Sequence, residues 1–182
     1  MYGSVPEHRT EIYARLDDRL RMHHGKSAWS DLHRHGQPTD SFLEGPVFAA
    51  DGTFYCVDIP YGRILRIGGD GKFDVHHQYD GAPNGLAVGP DDDLYIADFH
   101  RGLLRLKDNV LHVLAEGAAG NPFKGLNDLV LGEEGEVWFT DQGLTGLHDP
   151  TGVLYRFKDG QPMPVLANIP SPNGRVCALD RH

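Results

Sequence analysis

Four residues with oxygen-bearing side chains recur at equivalent places along the 182-residue chain. They are Glu44, Asn84, Asn127 and Asn173, and each opens a segment of similar sequence. A carboxylate and amide oxygens are hard ligands of the kind that Ca²⁺ prefers, and a smaller divalent ion completes its shell with water. If the four segments converge, these side chains predict a site for a divalent cation.

The segments that begin at these residues are copies of one repeat. Residues 44–58, 84–98 and 127–141 align with one another, and all three end in Asp. A fourth copy opens at 173, and a period of roughly 40 to 46 residues with strand content is typical of β-propeller blades. We therefore predict an all-β chain of the six-bladed β-propeller type, with about three blades and one further strand present.

Each repeat divides into four short strands rich in Val, Ile, Phe and Tyr and bounded by Gly, Pro and Asp. The predicted strands are 46–49, 53–57, 63–67 and 73–79, then 86–88, 94–97, 103–106 and 110–114, then 129–131, 137–140, 153–157 and 165–167. In an up-and-down blade the first strand starts on the face where the second strand ends. Because blades radiate from one axis, the four oxygen-bearing residues are predicted to meet at the mouth of the central channel.

The amide residues also have a structural interpretation. Asn followed by Gly supplies a favourable turn, because Asn tolerates left-handed backbone, and this interpretation competes most strongly at Asn84. Glu44 departs from the Asn of the other repeats. A turn would not call for Glu, so Glu44 is the best candidate for a functional residue.

Three aspartates invite the opposite conclusion. Asp58, Asp98 and Asp141 occupy the same place in all three repeats, which favours a shared role in capping the turn after the second strand. Asp141 has a second interpretation, because it opens the long loop 141–151 on the same face as Glu44. Long loops on a rigid scaffold are where binding residues concentrate.

The chain divides into an N-terminal extension, residues 1–40, and a partial propeller, residues 41–182. Residues 10–16 alternate like a strand that closes a propeller ring, or they belong to a short helix that reaches Leu20. Residues 25–40 are polar and are predicted to form a loop. The histidines of this region lack acidic or thiol partners in a zinc motif and are predicted to be solvated; they are His23, His24, His33 and His35.

Composition narrows the classes of partner. The net charge is −9, and no basic run offsets it, which argues against nucleic acid and is compatible with binding a divalent cation. Cys56 lies in a strand-like run and is predicted to be a buried, reduced thiol, with Cys177 far away in sequence. No stretch resembles a signal peptide or a membrane span, so no membrane contact and a cytoplasmic location are predicted.

Five motifs follow one another at blade spacing. They are Ser-Phe-Leu-Glu-Gly-Pro at 41–46, Pro-Asn-Gly at 83–85, Leu-Asn-Asp at 126–128, Trp-Phe-Thr-Asp-Gln at 138–142 and Ser-Pro-Asn-Gly at 171–174. Together they resemble the senescence-marker-protein/gluconolactonase (regucalcin-like) family over residues 41–174. The resemblance implies a six-bladed propeller with one catalytic divalent metal in its channel, Ca²⁺ ahead of Zn²⁺ or Mg²⁺. It also implies hydrolysis of a sugar-acid lactone such as gluconolactone.

The resemblance also implies roles for single residues. The predicted metal ligands are Glu44, Asn127 and Asn173, and the predicted substrate-binding residues are Asn84, Asp141 and Gln142. The family's general-base Asp belongs to a later blade and has no counterpart here, so no catalytic residue is assigned. The chain is accordingly interpreted as C-terminally truncated, and the fragment is expected to be impaired or inactive.

Functions from different classes remain in competition. The first is a metal-dependent lactonase whose partner is a small sugar lactone. The alternative is a non-catalytic propeller that serves as a binding scaffold, for which Glu44→Gln would leave stability and binding unchanged. A third is an ester-cleaving or carbon–carbon-forming enzyme on the same propeller, because a fold does not fix its function. The open edges of an incomplete ring also predict self-association.

Overall fold

Three four-stranded antiparallel sheets make up most of the chain, of which the computed structural model describes residues 9–174. The first sheet contains β1 (Leu43–Phe48), β2 (Phe54–Asp58), β3 (Arg63–Ile67) and β4 (Phe73–Gln78). The second contains β5 (Pro83–Val88), β6 (Leu94–Asp98), β7 (Gly102–Lys107) and β8 (Val110–Ala115). A short hairpin follows, with β9 (Gly117–Ala118) paired to β10 (Asn121–Pro122). The third sheet contains β11 (Leu126–Leu131), β12 (Val137–Asp141), β13 (Gly152–Lys158) and β14 (Gln161–Ile169).

The sheets are blades of a propeller, as predicted. In each sheet consecutive strands are neighbours, and β5 contacts both β1 and β11, so the first strands of the three sheets adjoin. This is the radial arrangement of a propeller, in which every blade starts at the central channel. The predicted strand of a fourth blade, beyond Gly174, lies outside the described residues.

The core lies between successive blades because alternate residues of a strand face opposite sides of its sheet. In β6 the side chain of Ile96 packs against Val57 and Ile64 of the first blade. Ala97, the next residue, belongs to a second cluster that joins Leu103 of the second blade to Leu126 of the third. Each blade interior is therefore completed by its neighbour.

The inner strands begin three residues earlier than predicted. Strands β1, β5 and β11 start at Leu43, Pro83 and Leu126, where the sequence favoured starts at 46, 86 and 129. The Gly, Pro and Asn residues in these segments are typical of turns. They are accommodated in the strands because each inner strand has a β-bulge at this point.

The N-terminal extension contains a helix where a loop was predicted, and that prediction is corrected. Helix α1 (Ala28–Arg34) begins with a capping box formed by Ser27 and Ser30. Trp29 of this helix is buried in the cluster between the first two blades. The helix is short, so this tertiary contact stabilises it more than helix propensity does.

Residues 10–16 do not form a strand in this structure, so the predicted ring-closing strand is not observed there. A 3-10 turn spans Asp18–Leu20, and Leu16 is buried against the outward face of the first blade beside Leu65. Arg19 donates a hydrogen bond from Nη2 to the carbonyl oxygen of Phe73 at 2.6 Å. The segment therefore covers an apolar sheet face.

Within residues 9–174, no helix has the length and apolar character needed to cross a lipid bilayer.

Candidate functional site

The bulges of the inner strands place the predicted site residues. The regular pairing of β1 with β2 is interrupted after Glu44, and that of β5 with β6 is interrupted at Asn84. In β11 the interruption includes both Asn127 and Asp128. A bulge bends a strand and re-aims its side chains, which explains why all of these residues leave the sheet at the same end of their blades.

The structure brings the four oxygen-bearing residues together. A cavity of about 300 Å³ is lined by Glu44, Gly45, Pro46, Asn84, Leu86, Asn127, Asp128, Leu129 and Asn173. Glu44 and Asn173 are exposed, whereas Asn127 is only 8% exposed. The cavity lining thus includes side-chain oxygens that could bind a cation, and they come from three blades and from the segment after the third blade.

Glycines next to the site residues allow the inner strands to approach one another closely. A Cβ atom at Gly45 would lie 2.7 Å from the carbonyl oxygen of Asn84. A Cβ atom at Gly85 would lie 2.8 Å from the Cα atom of Asp128. Larger residues would push the blades apart, so these glycines keep the cavity narrow.

Asp128 is a site residue that the sequence reasoning missed. It lines the cavity, and its Oδ1 accepts a hydrogen bond from the Leu129 N–H at 2.8 Å. A signal was present in the sequence: the residue after the oxygen-bearing position is Gly45, Gly85 and Gly174 in the other repeats, and Asp128 alone departs. The cavity therefore carries two carboxylates, those of Glu44 and Asp128.

Neither Asp141 nor Gln142 lines this cavity. The Asp141 carboxylate accepts hydrogen bonds from the backbone N–H groups of Lys124 and Gly125, at 2.9 and 2.8 Å to Oδ1. Burial raises the pKa of Asp141, and these two N–H groups and the Lys124 charge partly offset that effect. The Gln142 side chain contacts Asn127 instead: its Oε1 accepts a hydrogen bond from Asn127 Nδ2 at 2.6 Å.

The aspartates at the ends of the second strands share one structural role. Asp58 accepts a hydrogen bond from the Phe42 N–H at 2.8 Å, and Asp98 accepts one from the Ala82 N–H at 2.9 Å. Asp98 also caps the following turn by accepting from the N–H groups of His100 and Arg101. Each aspartate thus ties the end of a second strand to the segment that leads into the same blade.

Helix α1 is packed over turns of the first two blades, and its histidine, His33, differs from the prediction. The His33 ring lies 5.1 Å from the Trp29 ring and 5.2 Å from the Phe99 ring, between centroids. Its Nε2 is buried and has no hydrogen-bond partner in the described part of the chain. Burial, followed by the nearby His100, lowers the pKa of His33. His33 is therefore half-buried and not a solvated loop residue.

The donor set fits a hard cation better than a soft one. The polar residues around the cavity offer carboxylate and amide oxygens, which Ca²⁺ accepts in sets of six to eight. Zinc prefers imidazole and thiolate, and the cavity lining has neither. Residues 9–174 contain no cluster of three or more His, Cys, Asp or Glu side chains that could hold a metal, so amides would have to supply much of the shell.

The adjoining inner strands and the polar cavity beside them are features of a partial β-propeller. The profile of the SMP-30/Gluconolactonase/LRE-like region matches residues 42–181, and the chain belongs to this family. The predicted family resemblance is thereby confirmed.

Similar proteins come from several bacteria. A gluconolactonase of Zymomonas mobilis is 27% identical over 163 residues, which cover 75% of this chain and 46% of that protein. A solved gluconolactonase from Xanthomonas campestris has a TM-score of 0.66 and 29% identity, covering 74% of this chain and 50% of the other. Regucalcin from Agrobacterium tumefaciens, described as a calcium-binding protein, has a TM-score of 0.58 and 26% identity, with 70% and 44% coverage. The chain thus spans about half the length of these relatives.

Proposed function

We propose that the chain forms the metal-binding part of a lactone hydrolase of the gluconolactonase type. The observation that carries this proposal is that Glu44, Asn84, Asn127 and Asn173 line a single cavity. Membership of the family and similarity to two gluconolactonases support the reaction class. The proposed substrate is a sugar-acid lactone such as gluconolactone.

The proposed ligands of the cation are Glu44, Asn127 and Asn173. Ca²⁺ is the favoured ion because the available ligand atoms are oxygens and a calcium-binding protein is among the structural relatives. Zn²⁺ and Mg²⁺ are the alternatives. Asp128 adds a second carboxylate to the same cavity, which brings the side-chain charge of the lining closer to that of a divalent ion.

A bound divalent cation supplies Lewis-acid polarisation of a lactone carbonyl. The protein's own part is to bind and orient the substrate. Asn84 lines the cavity and offers both a donor and an acceptor, which suits the hydroxyl groups of a sugar lactone. Asp141 and Gln142 do not line the cavity. They are proposed to contribute to substrate binding because they begin the long loop 141–151. None of the described residues is assigned as the general base.

The proposed partner is therefore a small molecule. The net charge of −9 opposes contact with nucleic acid and attracts cations. A cytoplasmic location and self-association through exposed blade surfaces also remain part of the proposal. Met163, Val165 and Leu166 on β14 are 41%, 52% and 56% exposed and offer such a surface.

The decisive experiment measures calcium and zinc binding by calorimetry and lactone opening in the same samples. We expect the protein to bind metal, any opening of gluconolactone to require that metal and to be slow or absent without the general base, and Glu44→Gln to weaken metal affinity by roughly tenfold or more because a carboxylate ligand is lost. The matched control is Glu133→Gln, the same change at an exposed position outside the cavity. Equal metal affinity in the two variants would reject the metal site and favour the scaffold alternative.

A further inference from the structure

The side chain of Gln142 joins the two parts of the chain that carry Asn127 and Asn173. Its Oε1 accepts a hydrogen bond from Asn127 Nδ2 at 2.6 Å, and its Nε2 donates one to Ser171 Oγ at 2.7 Å. Ser171 precedes Asn173 by two residues. One amide group therefore bridges the inner strand of the third blade and the segment that follows its outer strand.

The first of these hydrogen bonds determines which atom of Asn127 is available to a cation. An asparagine amide has an oxygen on one side and an NH₂ group on the other, and only the oxygen can coordinate a cation. The NH₂ group of Asn127 is bound to Gln142. While the Gln142 oxygen faces Asn127, reversing the Asn127 amide alone would set the two oxygens against each other, and Asn127 is too buried for water to relieve that contact easily.

Hydrogen bonds fix the backbone of Gln142, so the position of its side chain is well defined. Its N–H donates to the carbonyl oxygen of Gly125 at 3.1 Å. Its carbonyl oxygen accepts a hydrogen bond from Thr145 Oγ1 at 2.6 Å, and the same hydroxyl accepts from the Ser171 N–H at 3.2 Å. The loop is thus fixed on both sides of Gln142.

We propose that Gln142 is a positioning residue that orients the Asn127 amide so that its oxygen serves the cation. The proposal rests on the metal site proposed above and goes beyond it, because it assigns Gln142 a role that needs no contact with substrate. Residues that orient a metal ligand from behind typically change metal affinity by 10- to 100-fold when they are replaced.

The test is a double-mutant cycle read out as Ca²⁺ affinity by calorimetry on the intact protein. Gln142→Leu removes both hydrogen bonds at similar side-chain size, and we expect Ca²⁺ affinity to fall roughly 10- to 100-fold. Gln142→Glu keeps an acceptor for Asn127 Nδ2 and should retain the affinity. In an Asn127→Ala background, Gln142→Leu should have no further effect, since the ligand that it orients is gone.

The control is Thr151→Val, which alters a contact to Lys124 at the far end of the same loop and should leave Ca²⁺ affinity unchanged. Unchanged affinity in Gln142→Leu, or an equal loss with and without Asn127, would overturn the positioning role. Glu44→Gln would still weaken binding in that case, so the metal site itself would stand. If the unaltered protein shows no saturable Ca²⁺ binding, both proposals are rejected.

A second readout needs no metal. Solvent exchange of the Asn127 side-chain NH₂ protons, followed by NMR, should be faster in Gln142→Leu than in the unaltered protein, because the acceptor is lost. An unchanged exchange rate would also overturn the inference. If Gln142→Leu does not fold, Ser171→Ala replaces it, since that variant removes the second anchor of the Gln142 amide.

Discussion

Gly85 holds the second and third blades at their observed separation, and a single methyl group should disturb both stability and the site. A Cβ atom at Gly85 would lie 2.8 Å from both Cα and Oδ1 of Asp128 and 2.9 Å from the carbonyl oxygen of Asn127. Two of these three atoms belong to backbone, so a side-chain rotation cannot relieve the overlap. In Gly85→Ala, β11 must shift away from β5.

The expected penalty is that of overpacking a tight interior, about 1–3 kcal/mol in the free energy of unfolding. For a domain of this size that corresponds to a fall in Tm of roughly 2–4 °C for each kcal/mol. Because Asn127 and Asp128 would be displaced, Ca²⁺ affinity should fall as well. Thermal denaturation followed by circular dichroism measures the first effect, and calorimetry with Ca²⁺ measures the second.

The matched control is Gly68→Ala. An added Cβ atom there would meet no atom within 4 Å, so stability should change by no more than about 0.5 kcal/mol. If Gly85→Ala is as stable as Gly68→Ala, the blades are not in steric contact at this point. The close approach of inner strands would then not explain the glycines beside the site.

Three further predictions concern single side chains. Asp98→Asn weakens the acceptor for the Ala82 N–H and should lower the free energy of unfolding by about 1–3 kcal/mol, measured by urea denaturation. Because the pKa of His33 is lowered, the folded state binds a proton less readily than the unfolded state. The free energy of unfolding should therefore fall as the pH drops below about 6.5. His33→Phe should reduce that loss. Burial raises the pKa of the Cys56 thiol to about 12, so iodoacetamide at pH 8 should leave Cys56 unmodified in the folded protein, as checked by peptide mass spectrometry.

Each of these has a clear contrary result. An Asp98→Asn variant with the urea midpoint of the unaltered protein would mean that the aspartate does not clamp its blade. An identical pH dependence in His33→Phe would assign the acid sensitivity to other groups. Rapid modification of Cys56 under native conditions would show that the sheet face it lies on opens readily.

The strands were predictable because the repeat and the two-residue periodicity are local properties of the chain. Strand β3 has the predicted bounds, and the other predicted strands are all present. The inner strands begin three residues earlier than predicted, and β14 begins four residues earlier than the predicted strand 165–167. The starts of β5 and β11 were missed because Asn84 and Asn127 lie in bulges, and a bulge leaves a turn-like sequence inside a strand. Register shifts of this kind depend on the neighbouring strand, which the local sequence does not encode.

The site was predictable in part. Alignment of repeats was sufficient to bring Glu44 and Asn173 to one cavity, because equivalent positions of blades converge by symmetry. Asp128 was missed because candidate ligands were taken only from the first position of each repeat, and Asp128 occupies the second position. Helix α1 was missed because Trp29 stabilises it through contacts with distant residues such as Ile59, and pattern reasoning on residues 25–40 cannot detect them.

The hydrogen bonds that Asp58, Asp98 and Asp141 accept have a consequence for how the protein opens. The backbone N–H groups of Phe42, Ala82 and Gly125 are bound to Asp58, Asp98 and Asp141, so deuterium can replace these protons only when the second strand of that blade detaches. The hydrogen-exchange rates of these three amides would therefore report the opening of the three blades independently. Their order would show whether the blades detach one after another, as repeats with only neighbour contacts do, or all together.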